Sequence, residues 1–268
     1  MTELTQADRA AFAADARAML AAARSSSMRH FRRPFAVEAK EDESPVTVAD
    51  RETEAAIRAE ITRRFPGHGI LGEEYGTDRL DAEFLWLVDP IDGTKSFISG
   101  HPMWGTLLAL LHRGAPVVGL VDAPALGELA WGGPGLGAWL ARPPAPDRAL
   151  RLRTDVAPEA VFIAINEMQR ILTHQPEALD ALLAEGRYQR ATADCYSYVQ
   201  LAAGWIDGLV DYGLQPFDYL PVLPIVEAAG GVMTDWAGGP LGLQGDGRIV
   251  AGSPTVHARL LAVLAPFV

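Results

Sequence analysis

Apolar residues recur at helical spacing from about Thr5 to Phe31. Phe12, Ala16, Met19, Leu20 and Ala23 share one face and Asp15 and Arg17 lie off it, which predicts an amphipathic helix ended by Pro34. The period returns after Asp50, where Ile57, Ile61 and Phe65 stand four apart, so a second helix runs to about Phe65 and stops at Pro66-Gly67. Lys40 to Ser44, between the two, reads as a charged loop. The pattern then changes. Ile70-Leu71 is a short apolar step, and the apolar run from Phe84 to Val88 reads as a buried strand. Trp104 to Leu111 and Pro116 to Val121 predict adjacent strands turned by His112-Arg113-Gly114. Leu129 to Trp131 and Ala138 to Leu140 predict two more around a Gly132-Gly133-Pro134-Gly135 turn.

The proline-rich stretch from Ala141 to Asp147 is the clearest break, and a domain boundary is expected there, between an N-terminal α+β domain (1–145) and a C-terminal α/β domain (146–268). The second half alternates. Strands are expected at 161–165, 188–191, 208–212, 232–233 and 249–250, and helices at 176–185, 195–203, 219–229 and 254–264, an α/β layer arrangement. Pro224 should kink the helix expected at 219–229, or else move its start.

Nearly half of the 268 residues are hydrophobic (49%), enough for a sizeable core. The formal charge of −11 argues against a nucleic-acid backbone or an anionic membrane as main partner. It does not exclude a small phosphate, because bound metal ions can reverse the local field. A single cysteine, Cys195, rules out an internal disulfide framework and fits a reducing compartment. With neither a signal-peptide pattern nor a membrane-length apolar run, a cytoplasmic protein is expected.

The chemistry concentrates where the run from Phe84 ends, at Asp89-Pro90-Ile91-Asp92-Gly93-Thr94. Pro90 stiffens the backbone at Asp89, Gly93 lets the chain turn sharply, and a helix opening near Thr94 would present free N–H groups. Two carboxylates this close repel unless a cation lies between them, hard divalent ions prefer oxygen, and a helix N-terminus favours an anion. Together these suit a metal-bound phosphate ester, although an ordinary Asp-rich turn has the same residues. Other acidic positions are equally two-sided. Asp50, three after Thr47, reads as a helix-start carboxylate. Glu73 turns inward or lies in a surface loop. Asp194 and Asp218 precede helices as N-caps do, and Asp211 ends a strand. His101 and His112 lack a second histidine at metal spacing and are given no role.

Gly72-Glu73-Glu74, Asp89 to Thr94, Phe217-Asp218-Tyr219 and Glu227 to Gly231 together resemble the inositol monophosphatase superfamily of lithium-sensitive, magnesium-dependent phosphatases, from Ser44 to Ser253. Within it, Ser44 to Arg51, Gly93 to Gly100, Ala193 to Tyr198 and Tyr212 to Tyr219 look most like the histidinol-phosphate phosphatase branch. Inositol phosphatases usually have Thr-Asn or Thr-Tyr where this chain has Lys95-Ser96, and Trp where it has Phe217. The resemblance implies a layered αβαβα sandwich of the inositol monophosphatase and fructose-1,6-bisphosphatase type, and a homodimer. It implies that Glu73, Asp89, Asp92, Asp218 and the carbonyl of Ile91 hold two Mg²⁺ ions, with Asp50 near a weaker third. Glu73 and Thr94 would orient the attacking water, with Asp50 in the same catalytic group. Asp92, Gly93, Thr94 and Lys95 would meet the phosphate, unless Lys95 is simply solvated. Asp194 and Asp211 would set specificity, Asp211 standing one methylene short where the family commonly has Glu. The expected activity is hydrolysis of L-histidinol phosphate in histidine synthesis. Inositol phosphate or another small phosphate is the alternative, a nucleotide is disfavoured for want of a basic stripe, and a non-catalytic metal or phosphate binder is the rival from another class.

Overall fold

The computed structural model describes residues 3–34, 37–39, 45–191 and 194–268. The charged loop Lys40 to Ser44 and Ala193 lie outside the described residues. Helix α1 (Gln6–His30) opens on a capping box between Thr5 and Asp8. Strands β1 (Val37–Ala39) and β2 (Pro45–Thr47) pair antiparallel and lead into α2 (Val48–Arg64), which begins with a second box between Thr47 and Asp50. The chain continues through β3 (Gly69–Gly72), β4 (Gly76–Asp78), β5 (Phe84–Asp92), α3 (Thr94–Ile98), β6 (Gly105–His112), β7 (Ala115–Ala123), β8 (Glu128–Gly133), β9 (Gly137–Arg142) and β10 (Ala145–Ala149). Eight of these strands form one sheet in the order β10-β9-β8-β7-β6-β5-β3-β4, with only β3 and β5 parallel.

The unbroken apolar run of β5 follows from its central place. Trp86 and Val88 pack with Ala16 and Met19 of α1 and Ile57 and Ile61 of α2, whereas Leu85 and Leu87 join a core built with the second half of the chain. A strand covered on both faces needs no polar alternation.

The proline-rich stretch is part of the sheet. Pro143 and Pro144 lie in the turn between β9 and β10, and β10 pairs back onto β9 as an edge strand, where proline is tolerated. The boundary expected at 145/146 falls within β10, and the chain leaves the sheet only after Ala149.

The second half holds β11 (Phe162–Ile165), α4 (Met168–His174), α5 (Pro176–Leu183), β12 (Tyr188–Ala191), α6 (Tyr196–Ala202), β13 (Gly208–Asp211), α7 (Pro216–Tyr219), α8 (Leu223–Ala228), β14 (Val232–Asp235), β15 (Ile249–Gly252) and α9 (Pro254–Leu264). Its sheet runs β12-β11-β13-β15-β14, parallel across the first three strands and antiparallel at β15. Ile163, Ile165, Val210 and Val250 face Leu179 and Leu182 of α5 and Leu260 and Leu264 of α9. Ala164, Leu209 and Ala251 face the shared core with α6 and α8. The layers are therefore helix, sheet, helix, sheet, helix, as the resemblance implied.

Two expectations need correction. Helix α4 was not foreseen, because seven residues between two polar stretches show too little of the period. The helix expected at 219–229 is two helices, α7 and α8. Pro224 stands in the first turn of α8, where a missing N–H removes no intrahelical bond, so proline marks a start rather than a kink.

Candidate active site

The end of β5 supplies the first two carboxylates. Its pairing with β6 shifts register between Asp89 and Asp92, and Thr106 Oγ1 donates to the freed Pro90 carbonyl (2.8 Å). Asp89 is 2% exposed and its Oδ1 accepts the Ile91 N–H (3.0 Å). The chain then turns on Gly93 (φ 82°), where a Cβ would stand 2.4 Å from Asp194 Oδ2, so only glycine fits. Thr94 opens the five-residue α3 and donates its hydroxyl to the Ile91 carbonyl (3.2 Å). Parallel pairing of β3 places Glu73 beside this strand end, with the Glu73 N–H on the Val88 carbonyl (3.1 Å). From the second half, α7 brings in Asp218. One oxygen each of Asp89, Asp92 and Asp218 lie within 4.8 Å of one another.

Burial pushes the carboxyls of Asp89 and Asp92 well above the usual range. Glu73, Asp92 and Asp218 add to this at Asp89, as do Asp194 and Asp218 at Asp92. The Cys195 N–H, 2.6 Å from Asp92 Oδ2, opposes it. Asp218 is pushed up to about 7, by burial first and then by Glu73, against the Gln215 N–H that it accepts. Lys95 and Arg170, the cations lining the cavity, each stand 3.6 Å from Glu167, and Lys95 also favours the charged form of Asp194. A close set of carboxylate oxygens, those of Asp89 buried and those of Asp92 and Asp218 half-buried, suits a hard divalent cation such as Mg²⁺, and the Ile91 carbonyl beside them keeps a second lone pair besides the one that accepts the Thr94 hydroxyl. Burial, with Asp92 and Asp194 nearby, pushes the Cys195 thiol up.

Asp50 does start α2. Its Oδ2 accepts the Thr47 N–H (2.8 Å) and hydroxyl (2.6 Å), and burial pushes it to about 6, with Glu73 adding to the rise. It does not line the cavity. Asp194 and Asp218 are not N-caps. Asp194, at φ 50°, accepts Ser96 Oγ–H (2.7 Å), and Asp218 is the third residue of α7, accepting the N–H of Gln215 (2.7 Å). Asp211 is buried, with Oδ2 accepting from Asn166 Nδ2 (2.9 Å) and Tyr198 OH (3.0 Å) and Oδ1 from the Tyr212 N–H (2.9 Å). Lys95 lies at the rim, its side chain 65% exposed.

Glu73, Asp89, Ile91, Asp92, Gly93, Thr94, Lys95, Asp194, Asp211 and Asp218 thus line a single cavity of about 870 Å³, counting its open mouth. Asn166, Glu167, Arg170 and Tyr198 also line it and were not foreseen. For Asn166 and Glu167 a signal existed: they follow β11 directly, and in α/β layers the carboxyl ends of strands face the ligand.

A five-layer sandwich with a buried acidic cluster at its strand ends defines a metal-dependent phosphatase. The chain belongs to the inositol monophosphatase family, which it matches over residues 3–267. It is 35% identical to the bifunctional phosphatase IMPL2 of Arabidopsis thaliana chloroplasts, covering 88% of this chain and 68% of that one. It is 36% identical to a histidinol-phosphatase from Chlorobaculum parvum, covering 87% and 88%. An inositol monophosphatase structure from Zymomonas mobilis superposes with a TM-score of 0.83 at 32% identity, covering 94% and 96%.

Proposed function

We propose that this chain hydrolyses L-histidinol phosphate to L-histidinol and phosphate, with Mg²⁺ held by Glu73, Asp89, Asp92, Asp218 and the Ile91 carbonyl, and with Asp50 near a weaker third ion. The observation that carries the substrate is the charge of the cavity wall. Beyond the cluster it adds Glu167, Asp194 and Asp211 against two cations, Lys95 and Arg170, each 3.6 Å from Glu167. Histidinol carries an ammonium and an imidazole, whereas inositol carries only hydroxyls. A cation 4 Å from one such carboxylate gains about 4 kcal/mol at an effective dielectric of about 20. The 36% identity to a histidinol-phosphatase supports the same choice.

Bound Mg²⁺ supplies positive charge to the phosphoryl oxygens and lowers the pKa of water. The remaining work falls to the chain. The Thr94 hydroxyl donates its hydrogen to the Ile91 carbonyl, so its oxygen is left to accept a hydrogen bond from the attacking water. The Glu73 carboxylate accepts the second hydrogen bond, aims the water at phosphorus and takes up that one proton as the water attacks. The water oxygen attacks in line, the bond from phosphorus to the ester oxygen breaks, and that oxygen leaves with the electron pair and takes up a proton from solvent. The N–H groups at Gly93 and Thr94, with Lys95, hold the phosphoryl oxygens. Asp194, Asp211 and Glu167 face the departing cation. No phosphoenzyme is required.

The test is phosphate release from histidinol phosphate, inositol 1-phosphate and a nucleoside monophosphate, with Mg²⁺ and with EDTA. Histidinol phosphate should lead by at least about tenfold in kcat/KM, and equal or inverted ratios refute the substrate. The likeness to the Zymomonas enzyme favours a second reading, an inositol or other polyol phosphate, which an inverted ratio would support. Release from none of the esters would make the chain a binder. A cytoplasmic homodimer belongs to the same proposal and is checked by light scattering.

A further inference from the structure

Glu54 is a fully buried carboxylate (0% exposed) on α2, one turn beyond Asp50, outside both the acidic cluster and the cavity lining. Its Oε2 accepts the N–H of Glu74 (2.7 Å) and its Oε1 the N–H of Tyr75 (3.2 Å). Arg58, one further turn along α2, donates Nε to Oε1 (2.7 Å) and another guanidinium nitrogen to the Gly76 carbonyl. The Glu54 carboxylate also lies hard against the end of β3, where a Cβ on Gly72 would stand 2.0 Å from Oε1. On the other side, the Glu73 N–H is tied to Val88 of β5 (3.1 Å).

The backbone around Glu73 is therefore gripped from both directions: by β5 at its own N–H, and by Glu54 and Arg58 at the three residues that follow. We propose that Glu54 is a positioning residue, whose charge sets the 73–76 turn so that Glu73 presents its carboxylate to the cation. This rests on the reading of Glu73 as a metal ligand. Two neighbouring N–H groups meet the two oxygens of one carboxylate, and an amide in its place would turn an NH₂ toward one of them. The strand itself does not need Glu54, because β3 is already held by β4 and β5. What Glu54 adds is order in the turn beyond the strand. Groups that orient metal ligands from behind are typically worth about 10–100-fold in metal affinity.

The test uses the full chain with Mn²⁺ as the probe, titrated calorimetrically without substrate, and D89N as the control that locates the ion. Glu54→Gln should raise the Mn²⁺ dissociation constant about 10–100-fold. It should shift the half-saturating Mg²⁺ for activity by the same factor, with kcat recovering at saturating Mg²⁺. A role confined to stability would lower Tm and leave both metal constants unchanged, and that result overturns the proposal. If Glu54→Gln does not fold, Arg58→Gln carries the test: it keeps the carboxylate, frees the Gly76 carbonyl, and must also weaken Mn²⁺. Unchanged binding in that variant refutes the proposal. Absence of Mn²⁺ binding in the wild type overturns instead the ligand reading on which the proposal stands.

Discussion

Replacing Asp211 by Asn isolates one buried proton. Asp211 is 3% exposed, and burial pushes its carboxyl up to about 7, outweighing the donors Asn166, Tyr212 N–H and Tyr198 that favour the charged form. Its ordinary value is 3.8. Between those two values the folded chain binds a proton that the unfolded chain has lost. Stability from this group is therefore complete below about pH 4, falls as pH rises toward 7, and changes no further above that. A rise of about three units at 1.36 kcal/mol each amounts to about 4 kcal/mol, with a slope of at most about 1.4 kcal/mol per pH unit. The other raised carboxyls of the site have the same sign, so the quantity to measure is the difference between wild type and Asp211→Asn. Asparagine sets an NH₂ among donors, a cost that does not vary with pH. Urea denaturation in EDTA at pH 5, 6, 7 and 8 should show the wild type losing ground to the variant by about 1.4 kcal/mol per unit from pH 5 to 6.5, then levelling off. Parallel profiles would refute the claim that burial overrides the three donors.

Three further outcomes are expected. Gly93→Ala should cost about 1–2 kcal/mol for a left-handed backbone and displace Asp194, lowering kcat/KM by at least about tenfold; wild-type kinetics would contradict the close approach. Asp194→Asn should raise KM for histidinol phosphate about tenfold and leave that of a neutral sugar phosphate nearly unchanged, and equal effects in steady-state assays would remove Asp194 from specificity. Arg24→Met leaves Asp122, 2% exposed, without the guanidinium that balances its burial, and should destabilise the fold by about 3 kcal/mol in chemical denaturation; a loss under about 1 kcal/mol would show Asp122 relieved by another group.

Periodicity located most elements because each answers a local question. Ile57, Ile61 and Phe65 at a helical interval, or the apolar run of β5, state which faces will be covered before the covering partner is known. The acidic signature around Asp89 and Asp92 was legible for the same reason, since turn, proline and glycine are nearest-neighbour chemistry. Legibility failed where local and tertiary signals diverged. Pro143 and Pro144 look like a linker, yet an edge strand follows them because β9 offers a free edge. Pro224 looks like a kink, yet it begins a helix because α7 has already ended.

The sequence alone determined the helical and strand periods, the motif at Asp89 to Thr94, and an excess of carboxylates over cations. Only the tertiary structure decided that Asp218 stands within reach of Asp89 and Asp92, that the Cys195 N–H meets Asp92, and that Glu54 grips the turn after Glu73. Local spacing carries no information about which distant side chains will share a cavity. That depends on two sheets packing against a common helical layer, and burial there turns scattered acids into one site that calls for a cation.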